Sequence, residues 1–325
     1  MQRAFTFAVL LFAIASTSNA AAQAPAVRHN TWTSGTPLPV PVQFTQTGVI
    51  NGLIYVVGGF NSNGIVGNNQ IYNPATNTWS SGAPMPDPTG YGTSAVVKNI
   101  LYVIGGTSQS ANQETGAVWA YDPTTDTWTE KSPMPTARGG TGTAVEKNII
   151  YVIGGNGNDE SRLTNVEAYN PAKDKWTEKA PLLIGRSEPS VGLLKASIGG
   201  KVVQTIVAAD GFTPSGDTGD TDGYDVSTNT WTSLTPDPLT RNEACTGAIG
   251  GNLYVAAGSE YGSGSSTEND VYNLATNGWT TLASSPQSVS DPGSAVYKNT
   301  LYCFGGGNNT GGGDTVYNYV QIYHP

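Results

Sequence analysis

Two short segments of the 325-residue chain, Arg186-Ser187-Glu188 and Arg241-Asn242-Glu243, repeat an Arg-x-Glu spacing. A guanidinium binds carboxylates or hydroxyl groups through its fork of donors, and a neighbouring glutamate accepts hydrogen bonds or moves a proton. Arg138 stands at the matching place in an earlier segment, and Gln43 with Phe44, Tyr91 and Asp291 stand there in three others. Side chains of an extended strand alternate with period two, so the Arg and Glu of each pair are expected on one side. Two readings stay open. In one, Arg138, Arg186, Arg241, Tyr91, Phe44 and Asp291 line a binding pocket in which Glu188 and Glu243 are candidate catalytic acids or bases. In the other, the charges form an Arg-Glu ladder that satisfies itself, or a solvated rim.

The elements that position these residues recur along the chain. Trp32, Trp79, Trp128, Trp176, Trp231 and Trp279 follow one another at steps of 47 to 55 residues. Five of them are preceded by a Tyr seven residues earlier: Tyr72, Tyr121, Tyr169, Tyr224 and Tyr272. Segments such as Asn73-Pro74-Ala75-Thr76-Asn77 lie between, rich in the residues a tight turn requires, so each unit joins a Tyr strand to a Trp strand in a hairpin. Apolar runs such as LIYVVGG, LYVIGG and IYVIGG read as buried strands ended by a glycine pair. In two units the pair is altered, to Asp210-Gly211 and to Gly258-Ser259. With a small-residue strand before each apolar run, the tally is four antiparallel strands per unit, the period of a propeller blade.

The glycine pair, then Tyr, then six residues, then Trp, resembles the kelch family, and the resemblance runs from Trp32 to Pro325. It implies an all-β fold, a six-bladed kelch-type β-propeller. The last unit stops at Tyr323-His324-Pro325 while the chain begins with an unpaired Asn30-Thr31-Trp32, so the N-terminal strand is expected to close the last blade. The recurring Trp, Tyr and glycine pairs are then structural, and function lies in what differs between blades. The differing parts are the loop holding the Arg-x-Glu segments and the loop after each glycine pair, both expected on one face around the channel. In relatives that recognise acidic peptides, arginines at the place of Arg138, Arg186 and Arg241 do the binding.

The loop after Asp210 also carries Asp217, Asp220 and Asp222. It reads as a solvated acidic loop; a calcium site is the alternative, weakened by the missing distal Glu of a twelve-residue loop. The copper-radical oxidases of the family need two histidines and a Tyr cross-linked to Cys, whereas this chain has only His29 and His324. A histidine-built copper or zinc site is therefore set aside, and no cofactor is expected. Cys245 and Cys303 read as small buried strand residues rather than as a bridge.

Residues 1–20 combine Arg3, an apolar run and the small residues Ser18-Asn19-Ala20, the pattern of a secretory signal with cleavage near Ala20 to Ala22. The apolar run is too short to span a bilayer. A short linker over 21–29 and a single propeller over 30–325 are expected to follow, giving a secreted or periplasmic monomer. A net charge of −9 disfavours nucleic-acid binding.

Two functions of different class follow. The favoured one is a binding module for a glycan or an exported protein or peptide at the loop face. The other is a metal-independent isomerase or lyase acting on a sugar acid, as the resemblance to exported kelch sialic-acid mutarotases implies, with Glu188 or Glu243 as base.

Overall fold

The computed structural model describes residues 29–260, 263–308 and 315–325. The expected signal segment and nearly all of the expected linker lie outside the described residues. Among the described residues, strands of alternating small and β-branched side chains assemble into six four-stranded antiparallel sheets. The first blade orders Gln46–Ile50, Leu53–Val57, Asn69–Asn73 and Thr78–Gly82 from the axis outward, and the next four repeat that order. The sixth is closed by the N-terminal strand Thr31–Ser34, which pairs antiparallel with Val320–His324 as its outermost strand. Gln46–Ile50 packs against the innermost strands of both the second and the sixth blade, so the ring is continuous. No helix among the described residues is long and apolar enough to cross a membrane.

Each blade presents an apolar face to the next, and the core is six clusters, one per interface. Between blades one and two, for example, Tyr55 and Val57 meet Leu101, Val103 and Tyr121. The Tyr and Trp of each unit face each other across the two outer strands, as in Tyr72 opposite Trp79. The sixth such pair, Tyr323 opposite Trp32, exists only because the ends of the chain meet.

A latch repeated six times joins neighbouring blades. In blade one the Tyr72 hydroxyl donates to Asn77 Oδ1 at 2.7 Å, and the same oxygen accepts the Thr36 N–H at 2.6 Å. Trp79 Nε1 donates to the Thr36 carbonyl at 2.8 Å. Asn77, Asp126, Asp174, Asn229, Asn277 and Asn30 hold this place at positive φ, which Asn and Asp tolerate better than other side chains. The recurring tyrosines are thus buried and the tryptophans half-buried, and both are hydrogen-bonded into the latch.

Two expectations need correction. Cys245 and Cys303 form a disulfide between blades five and six, with Cα atoms 5.8 Å apart. They belong to strands 58 residues apart in sequence that face each other across a blade interface, a neighbourhood created only when the ring packs. The altered glycine pair of blade five is Ala257-Gly258 and not Gly258-Ser259: φ is 58° at Ala257 and 97° at Gly258, matching 66° and 101° at Gly58-Gly59. Asp210-Gly211 keeps the same geometry at 59° and 107°.

Candidate functional site

Where the chain enters each innermost strand, one residue takes a left-handed backbone conformation. These residues are Phe44, Tyr91, Gly140, Glu188, Glu243 and Asp291, with φ between 53° and 63°. Their amides link the blades around the axis. Phe44 N–H donates to Asp291 O at 2.9 Å, Tyr91 N–H to Phe44 O at 3.0 Å, Gly140 N–H to Tyr91 O at 2.8 Å, and Asp291 N–H to Glu243 O at 2.9 Å. The ring forms the wall of a cup of about 140 Å³. Below it lies an axial channel of about 250 Å³, lined by hydroxyls including Thr47, Ser94, Thr143, Thr246 and Ser294. Many of those hydroxyls tie adjacent innermost strands together, as Ser94 Oγ does by donating to Thr47 O at 2.7 Å.

Both loop sets expected on one face are found there. The residue before each ring position pairs with the start of the loop after the glycine pair, as Gln43 with Phe60, Ser187 with Phe212 and Asn242 with Ser259.

The cup is acidic. Glu188, Glu243 and Asp291 line it beside Phe44 and Tyr91, and no Lys, Arg or His is among its lining residues. Tyr91 leans over Gly140 and donates its hydroxyl to Glu188 Oε1. The glycine is required there: a Cβ on Gly140 would lie 2.6 Å from Tyr91 Oη. Phe44 meets Tyr91 edge to face with ring centroids 5.1 Å apart.

Burial pushes the Glu188 carboxyl up to about 7; the hydrogen bond from Tyr91 and the charge of Arg162 oppose that rise. Asp291 is held well above the usual carboxylate range by burial, then by the charges of Glu243 and Glu188, and it hydrogen-bonds to Glu243. Two carboxyl groups in a mutual hydrogen bond share a proton. Burial and the Glu188 charge likewise push the Tyr91 phenol upward.

The three arginines stand elsewhere. Arg138, Arg186 and Arg241 are fully buried and do not line the cup. Arg138 pairs with Glu167 and donates to the Gly154 carbonyl at 2.9 Å. Arg186 pairs with Asp222, and Arg241 with Asp270 at 2.6 Å and Asp237 at 3.0 Å. Each clamps the loop leading into its blade to the third strand of the same blade. The expectation that Arg and Glu of one segment share a side fails because Glu188 and Glu243 are left-handed, which breaks the period-two alternation. The arginines are internal clamps, neither a binding set nor a ladder to the Glu of their own segment.

The partners of the clamps were open to sequence reasoning. The place two residues before each conserved-spacing Tyr holds Gln70, Trp119, Glu167, Asp222, Asp270 and Gln321, and the place two before each ring residue holds Val42, Thr89, Arg138, Arg186, Arg241 and Val289. An acid occurs where an Arg occurs. Trp119, out of register with the other tryptophans, holds this place in blade two and packs against the core between blades one and two.

The acidic loop after Asp210 is dispersed. Asp222 is committed to Arg186, and Asp217 Oδ1 accepts from Asn242 Nδ2 at 2.7 Å. Asp210 is fully buried, its carboxyl pushed far up by burial and then by Asp237. Asp217, Asp220 and Asp222 therefore do not converge as a calcium site. Among the described residues, no group of three or more His, Cys, Asp or Glu is placed to hold a metal ion.

A family model described as the KLHDC2/KLHL20/DRC7 Kelch-repeats domain matches residues 26–202. A solved structure titled "Structure of YjhT" is similar over 88% of this chain and 96% of that chain, with a TM-score of 0.74 and 20% sequence identity, a likeness of fold. No curated protein matches the chain.

Proposed function

The chain belongs to the kelch-repeat family, and from that premise we propose that it is an exported binding module that takes a neutral glycan in its loop-face cup. The observation that carries this reading is the convergence of Glu188, Glu243 and Asp291 beside Phe44 and Tyr91 in one concave site. Carboxylates accept hydrogen bonds from sugar hydroxyls, and a protonated carboxyl also donates one. The aromatic pair offers an apolar surface against which the C–H face of a sugar ring is buried. A sugar acid fits less well, because its carboxylate meets three carboxyl groups and no cation among the lining residues. Calorimetric titration with neutral oligosaccharides tests the reading: binding that is lost in Phe44→Ala and in Glu243→Gln supports it, and binding unchanged in both overturns it.

One observation favours a second reading, proton transfer on the bound sugar by a metal-independent isomerase of the mutarotase or epimerase type. Glu188, held at about 7 with the Tyr91 hydroxyl on its carboxylate, is poised as a general base near neutral pH. Turnover that disappears in Glu188→Gln while binding persists would establish it; binding without turnover leaves the first reading.

A further inference from the structure

Blade four departs from its neighbours at the end of the ring opposite the cup. The innermost strands of the other blades run five residues, as Gln46–Ile50 does, whereas Ser190–Ile198 and Lys201–Ala209 run nine each and meet at Gly199-Gly200. Only Ile206–Ala209 pairs outward with the third strand of the blade, through Ile206 opposite Tyr224 to Ala209 opposite Thr221. Lys201–Thr205 pairs with Leu194–Ile198 on one side and with no described strand on the other. The result is a projecting two-stranded ribbon with an open edge.

Its side chains are unusual for this molecule. Val202 is 66% and Ile198 40% exposed, two of the four large exposed hydrophobics among the described residues. From Ser190 to Ala209 the sequence contains no Asp or Glu and two lysines, Lys195 and Lys201, in a chain with a net charge of −9. Cross-strand register puts Lys195 opposite Gln204 and Ser197 opposite Val202 on one face, both pairs exposed.

We propose that this ribbon is a docking edge for an extended acidic segment of a partner protein, which adds to Lys201–Thr205 as a further strand. Main-chain hydrogen bonds to the open edge give the affinity; apolar side chains of the partner meet Val202 on one face of the ribbon and its acidic side chains meet Lys201 on the other, with Lys195 adding positive charge on the inner strand. A second copy of this ribbon carries no Asp or Glu between Ser190 and Ala209 to meet the lysines. Unpaired backbone along the edge disfavours burial in lipid, where it would find no hydrogen-bond partner.

The test uses the intact protein and a fluorescein-labelled peptide of alternating valine and glutamate, about eight residues long, a common strand length. Fluorescence anisotropy should report saturable binding that weakens about tenfold or more in the double variant Lys195→Glu, Lys201→Glu. Hydrogen exchange should show the amides of Lys201–Thr205 protected when the peptide is added, and the cup variant Glu243→Gln should bind the peptide as wild type does. Absence of binding, binding indifferent to the charge reversal, binding without that protection, or binding only to phosphatidylserine vesicles would each overturn the proposal. Both lysines are exposed, so the variant keeps the fold, which circular dichroism checks.

Discussion

The Tyr91 hydroxyl of blade two reaches across Gly140 of blade three to the Glu188 carboxylate of blade four. This one bond spans three blades at the cup wall and opposes the upward push that burial exerts on Glu188. In Gly140→Ala the new Cβ falls within 2.6 Å of Tyr91 Oη, so the ring must move and the bond breaks. Tyr91→Phe removes the donor directly. Both variants are expected to move the Glu188 titration upward from about 7, which carboxyl-carbon NMR over a pH series measures; an unchanged titration would show that the bond does not tune the acid.

Stability should depend on pH through the same residue. Glu188 binds its proton more tightly in the folded protein, at about 7 against an ordinary 4.5. Its contribution is therefore fully present below about pH 4.5 and is lost as pH rises through about 7, a change of about 3 kcal/mol. Glu188→Gln is expected to melt above wild type at pH 8 and to approach it at pH 4. Thermal unfolding at the two pH values decides it, and parallel curves would contradict the assignment.

The clamps should behave as buried charge pairs. Arg138→Val alone strands Glu167 without its counter-ion and is expected to destabilise by about 3–5 kcal/mol. The double variant Arg138→Val, Glu167→Gln copies the Val42 and Gln70 found at the same places in blade one, and should recover most of that loss. Urea unfolding of the three proteins measures both quantities.

The latch makes a smaller, local prediction. Asn229 Oδ1 accepts from the Tyr224 hydroxyl at 2.6 Å and from the Ala180 N–H at 2.9 Å, and the residue sits at φ 57°. Asn229→Ala loses both bonds and puts an alanine in a left-handed conformation, which together should cost about 2–3 kcal/mol in urea unfolding. The ligand affinity of the cup, at the opposite end of the blades, should not change.

Much of this architecture was legible because Tyr, Trp and the glycine pairs recur at nearly fixed spacing, and the unpaired Trp32 announced how the ring closes. The cup was legible as a set of positions: Phe44, Tyr91, Glu188, Glu243 and Asp291 stand at equivalent places and do converge. Their orientation was not, because Phe, Tyr, Glu and Asp give no local sign of a left-handed backbone, and an extended strand sends Glu188 to the side of Arg186. The Arg-to-acid pairing was written in the repeats but visible only when the third strands are aligned with the loops. The Cys245–Cys303 contact depends on the packing of two blades, a long-range fact that no local pattern carries.

Binding of a neutral glycan in the acidic, aromatic cup is measured by thermal shift against a panel of neutral oligosaccharides, sugar acids and peptides. A ligand at about 100 times its dissociation constant stabilises by roughly 2.7 kcal/mol, a rise of a few degrees for a domain of this size. That rise is expected for a neutral oligosaccharide in wild type, and its loss in the double variant Phe44→Ala, Glu243→Gln. A rise that survives in the double variant, or one produced by sugar acids and by no neutral sugar, would contradict it.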